Sequence, residues 1–134
     1  MPEHQIPPHG TFCWNELSTK NAEAAKKFYS ELLGWQLVQS GATGMPYTEI
    51  VAGGEHVGGI YEMTEECGAS ADMPSHWMSY VAVDDVDATA ARVESLGGKV
   101  CVPPTDIPNV GRFTVITDPT GANISLIRLN GAAS

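Results

Sequence analysis

The chain has 134 residues, 16 acidic against 7 basic side chains, and a formal net charge of −9. That surface repels phosphate backbones and anionic lipid, which sets nucleic acid and membranes aside as partners. Apolar residues make up 43% and charged residues 17%, the proportions of a globular domain with a real core. No apolar run is long enough for a membrane-spanning helix.

The first ten residues hold three prolines and two histidines, His4 and His9, with no apolar stretch. This is the pattern of an extended tail, and no secretion signal is visible. Residues 11–17 (Thr-Phe-Cys-Trp-Asn-Glu-Leu) alternate bulky side chains and read as a strand. Ser18, Thr19, Lys20 and Asn21 then offer helix N-caps. From Ala22 the apolar residues Ala25, Phe28, Tyr29, Leu32 and Leu33 recur at helical spacing, with Lys26, Lys27, Ser30 and Glu31 opposite and Gly34 as the C-terminal cap. Strand patterns follow at residues 35–39, 47–51 and 56–63, separated by glycine turns at 41–44 and 53–54. Residues 65–74 read as a polar linker.

The second half repeats the order. Residues 76–83 form a strand and Asp84-Asp85 a helix start, where carboxylates suit the dipole. Val86, Ala90, Val93 and Leu96 make a helical stripe that ends at Gly97-Gly98. Strands follow at residues 99–102, 112–117 and 123–129, with Asp118-Pro119-Thr120-Gly121 as a turn. Aligning Gly34 with Gly97 pairs Leu33 with Leu96 and Leu37 with Val100. The expected fold class is therefore α+β, with two tandem βαβββ modules, residues 10–64 and 75–130, forming curved sheets around a cavity. The three cysteines, Cys13, Cys67 and Cys101, show no C-x-x-C spacing, so neither a disulfide framework nor a thiolate zinc site is expected and a reducing cytoplasm fits. Cys13 and Cys101 lie in apolar strand contexts and read as core residues; Cys67 lies in a loop.

Several motifs occur in one order across both halves. These are Trp14-Asn15-Glu16-Leu17, Ala24-Ala25-Lys26-Lys27-Phe28-Tyr29 and Leu33-Gly34-Trp35, then Tyr80-x-x-Val83-Asp84-Asp85-Val86-Asp87 and Asp118-Pro119-x-Gly121-Ala122. Together they resemble the glyoxalase/bleomycin-resistance/dioxygenase (vicinal oxygen chelate) superfamily over about residues 10–129. The resemblance implies a homodimer, and in the family's enzymes a divalent metal held by His, Gln or Glu from the first and last strand of each module. Carried over one position at a time, those places fall at Phe12 or Trp14, at Gly59 or Tyr61, near Met78, and at Ser125. Phe, Met and Ser are not normal donors for such a site, which needs about three ligands. No cofactor is therefore expected, and a divalent metal would need His56, Glu62 and His76, with Glu16, as an alternative set.

With the inherited ligands missing, the inward positions Phe12, Trp14, Glu16, Tyr61, Met78, Tyr80 and Ser125 read as a ligand pocket. Its aromatic, weakly polar lining suits a small, planar, partly apolar organic molecule. Glu16 is the one charged residue placed inward; if buried it becomes a general-base candidate, with Arg112 as a possible partner for it or for an anionic ligand. Two other readings stay open: a metal-dependent lyase or dioxygenase, and a non-catalytic interaction module.

Overall fold

A computed structural model describes residues 7–40, 47–63, 74–107 and 110–129. The expected turn at 41–44, linker residues 65–73 with Cys67, and His4 lie outside the described residues. Among the described residues eight strands and two α-helices follow in order: β1 (Phe12–Thr19), α1 (Ala22–Leu33), β2 (Gln36–Ser40), β3 (Tyr47–Ala52) and β4 (Glu55–Glu62), then β5 (His76–Ala82), α2 (Val86–Val93), β6 (Lys99–Ile107), β7 (Gly111–Thr117) and β8 (Asn123–Leu129). The βαβββ order occurs twice, in a mixed α+β fold. Two compact units result, residues 14–78 and residues 1–13 with 79–134.

In the first unit the strands run β2-β3-β4-β1. β1 lies parallel to β4, with Glu16 opposite Gly59 and Leu17 opposite Ile60. β3 lies antiparallel to β4 and places Glu49 opposite Gly59 and Thr48 opposite Ile60. Side chains alternate across a strand, so Leu17, Ile50 and Ile60 share one face and form the buried core under Ala22, Ala25 and Tyr29 of α1. The start of α1 is tied at two donors: Asn21 Oδ1 accepts from the Ala24 N–H and Glu62 Oε1 from the Ala22 N–H. Its end closes on Gly34 at φ 73°, a left-handed conformation that costs glycine little.

The helix sits rotated from the expected stripe. Phe28, Leu32 and Leu33 are 58%, 63% and 53% exposed, whereas the Lys26 side chain is only 19% exposed. Ala22, Ala25 and Tyr29 make the inward stripe instead, because the Tyr29 ring stacks on Trp35 (centroids 5.4 Å apart) and meets Trp77 edge-on at 5.5 Å. The Trp77 indole N–H also donates to the Tyr29 hydroxyl at 3.2 Å. That aromatic contact fixes which side of α1 turns down.

In the second unit the order is β5-β8-β7-β6, with β5 parallel to β8. Val83, Val86 and Leu126 form the core, with Val81 and Ile116 packed against it. The Asp85 side chain caps α2 by accepting from the Ala88 N–H, and a short 3-10 turn, Glu94–Leu96, runs on to Gly97. Residues Gly10 and Thr11 are bonded to Ala82 rather than trailing as a tail. β6 continues past Val102 through Pro103 and Pro104 to Ile107. Its pairing with β7 shifts register on both sides of Val102, which is how a strand with one outer edge accommodates prolines. Cys101, expected in the core, is exposed on that strand, while Cys13 is partly buried.

Candidate functional site

β1, β4 and β3 carry on the face opposite the Leu17–Ile50–Ile60 core a second set of side chains: Trp14 and Glu16, then Gly59 and Tyr61, then Tyr47 and Glu49. Glu16, Gly59 and Glu49 are level with one another across the three strands. At the centre Gly59 has no side chain, and the Tyr47 ring lies over it: a Cβ at position 59 would collide with the Tyr47 hydroxyl. From that seat the Tyr47 hydroxyl accepts a hydrogen bond from the Trp14 indole N–H at 2.9 Å and donates to Glu16 Oε2 at 2.9 Å. Two aromatic rings and one carboxylate are thereby locked in fixed relative positions.

Beside them, His56 Nδ1 lies 2.6 Å from Glu49 Oε1. An ionised carboxylate only accepts, so Nδ1 carries the proton of that bond. A register shift between Ile50 and Val51 pairs Val51 with His56, which turns His56 to the Glu49 side. The His56 and Glu49 side chains are 48% and 27% exposed, so the pair is open to solvent.

The other expected residues are placed as follows. Glu62 caps α1 through its Oε1, and the His76 ring bonds to the Pro74 carbonyl at 2.9 Å. Met78, half-buried, alternates with Trp77 and so faces away from the aromatic cluster. In the second unit Phe12 is 70% exposed, while Tyr80 and Ser125 are buried and paired in register. The Ser125 hydroxyl, fully buried, has no hydrogen-bond partner among the described residues. Arg112 does not serve Glu16: its guanidinium makes a bidentate bond to Asp87 and a further one to Asp106, all at 2.8–2.9 Å. That bonding holds the Asp87 carboxyl below the usual carboxylate range. Burial pushes the Cys13 thiol above its ordinary value.

These residues do not fit the family's divalent metal. Phe12 and Met78 offer no nitrogen or charged oxygen donor, position 59 has no side chain and the Tyr47 ring lies over it, and Ser125 is a neutral hydroxyl inside a packed sheet. Three donors with an open position cannot be assembled from them. Sequence reasoning missed Tyr47 and Glu49 as site residues. Their alternation with Thr48 and Ile50 was visible, but only the β3–β4 register brings them level with Glu16.

A twice-repeated βαβββ chain, with first and fourth strands parallel in each module, defines a domain of the vicinal oxygen chelate class. Residues 11–126 match the Glyoxalase/Bleomycin resistance protein/Dioxygenase superfamily, and the chain belongs to that family. It is 43% identical over 122 residues to the provisionally named glyoxylase CFP32 of Mycobacterium tuberculosis, covering 89% of this chain and 44% of that protein. It is 33% identical over 131 residues to the anthracycline biosynthesis protein DnrV of Streptomyces peucetius, covering 89% and 47%. The chain thus spans less than half the length of these relatives. A Streptomyces coelicolor methylmalonyl-CoA epimerase variant in complex with 2-nitronate-propionyl-CoA shares the fold at a TM-score of 0.64 and 18% identity, covering 92% of this chain and 100% of that one. A Mn(II)-bound glyoxalase from Novosphingobium aromaticivorans shares it at 0.58 and 23%, covering 92% and 40%. No helix among the described residues is long and apolar enough to cross a membrane.

Proposed function

We propose that this chain binds a small, planar, partly aromatic organic molecule on the Trp14–Tyr47 face, without a catalytic metal. The observation that carries the reading is the hydrogen-bonded chain Trp14–Tyr47–Glu16 laid over Gly59. It presents pre-oriented ring surface and a few fixed polar atoms, the combination that orients a flat ligand at low entropic cost. The likeness to a protein named for anthracycline biosynthesis supports a fused-ring ligand. Tyr61 and Met78 would extend the apolar surface within the same unit.

The test is quenching of tryptophan fluorescence by 1,4-dihydroxyanthraquinone, with and without EDTA. Saturable quenching that persists in EDTA and is lost in Trp14→Ala is the expected result. Quenching abolished by EDTA and restored by zinc or manganese would instead support the metal-dependent lyase or dioxygenase reading, and no saturable quenching would overturn the binding function.

We further infer that the protein is a cytoplasmic homodimer. The exposed Phe28, Leu32 and Leu33 form an apolar surface on α1 that association with a second copy would cover. Sedimentation velocity checks this: wild type is expected as a dimer and Leu32→Glu as a monomer.

A further inference from the structure

α1 carries a ridge of three residues, Ala24, Phe28 and Leu32, that recur every four positions and are all exposed. On one flank of that ridge lie Lys27 and Glu31, also exposed. Neither of these two side chains forms an ion pair among the described residues, whereas Lys26 turns to Glu23. Phe28 is not an isolated apolar spot. Its ring meets Tyr29 edge-on with centroids 5.0 Å apart, and Tyr29 in turn meets Trp77, itself 41% exposed. Aromatic side chains braced in this way serve as the anchors of protein interfaces.

Charge selects the partner. α1 holds two lysines and two glutamates and is neutral, so the net charge of −9 sits on the rest of the chain. Two copies that repel one another elsewhere can approach through this helix. Lys27 and Glu31 stand about one turn apart on the same flank, which makes the surface complementary to its own image under a two-fold rotation. An antiparallel pairing with its axis midway between them sets Lys27 of each copy against Glu31 of the other. It also brings the two Phe28 rings together and lays each Leu32 over the small Ala24 of the other copy. A parallel pairing would put the two flanks on opposite sides and leave the charges unmatched. We propose that a second copy of this chain docks here, through an antiparallel α1–α1 contact with two reciprocal Lys27–Glu31 pairs. The inference rests on the homodimer reading above and deepens it by naming the surface and its register.

Sedimentation equilibrium of wild type, Lys27→Glu, Glu31→Lys and an equimolar mixture of the two variants tests it. Each variant alone is expected to raise the dimer dissociation constant about tenfold at low salt, because two weak attractions become two weak repulsions. The mixture is expected to return to within about threefold of wild type, since each mixed pair regains two contacts of opposite charge. That recovery also shows that both variants fold. High salt is expected to narrow the differences. Variants that dimerise as wild type does, or a mixture no tighter than either variant alone, would overturn the α1–α1 pairing and leave the homodimer reading standing on another surface. A wild type that stays monomeric at every concentration would overturn both.

Discussion

The two helices occupy the same place in the same βαβββ plan, yet they meet their sheets differently. Val86, Ala90 and Val93 of α2 are buried, whereas no residue of α1 is. α2 settles on an aliphatic core and is also tied to β7 by the bidentate Arg112–Asp87 bond. α1 is held at its start by Asn21 and Glu62 and along its length by Tyr29 stacked on Trp35. Its outer apolar residues remain on the surface. A repeated fold therefore does not repeat its energetics: one module spends its apolar helix residues on its core, and the other leaves three of them available to a partner while its sheet carries the polar face.

The largest effect that would sharpen this comparison lies at the two adjacent glycines of β4. A Cβ at Gly58 would strike the backbone carbonyl of Asn15 in the paired strand, whereas one at Gly59 meets only the movable end of Tyr47. Gly58→Ala is expected to cost about 3 kcal/mol or more, because ladder backbone cannot step aside. Gly59→Ala should fold, but displace Tyr47 and break its bonds to Trp14 and Glu16. Urea denaturation together with anthraquinone titration separates the two, and equal destabilisation would refute the distinction.

Next come the helices. Val86→Ala in α2 removes two buried methyl groups and should cost about 2 kcal/mol, while Leu32→Ala in α1 should stay within about 0.5 kcal/mol when both are measured at a dilution where the inferred dimer is dissociated. Similar losses at both would mean that α1 is packed after all.

Ser125→Ala removes a buried hydroxyl without a partner among the described residues. It is expected to raise stability by about 1 kcal/mol, measured as a higher denaturation midpoint. A loss of stability would show that the hydroxyl is satisfied by something bound there.

The smallest effect is one of pH. Asp118 Oδ1 accepts from the Thr120 hydroxyl, the Thr120 N–H and the Ala122 N–H, and these bonds hold its carboxyl below the usual range. A carboxyl depressed in the folded state contributes stability above its unfolded value of about 3.9, and that contribution is lost as pH falls through the lower folded value. Asp118→Asn should lower stability slightly at neutral pH and flatten the acid limb, so that its difference from wild type shrinks as pH falls below about 4, as thermal melts across pH would record.

The local pattern by itself determined the elements and their order. Caps and periodicity located α1 between Asn21 and Gly34 and the start of α2 at Asp85, and hydrophobic alternation located the strands to within a few residues. The internal repeat and ordered motifs specified the family, because those signals depend on neighbours within a few positions of one another. It also marked Trp14 and Glu16 as sharing a face, since alternation along one strand needs no partner.

Only the tertiary structure decided the rest. The rotation of α1 depends on Trp77, far away in sequence, contacting Tyr29. The course of β6 beyond Val102 depends on a strand edge that tolerates proline. The site itself depends on register: Tyr47 and Glu49 belong to it because β3 pairs Glu49 with the same Gly59 that β1 pairs with Glu16. A one-residue slip would have sent both to the core side, and nothing local to β3 specifies that pairing.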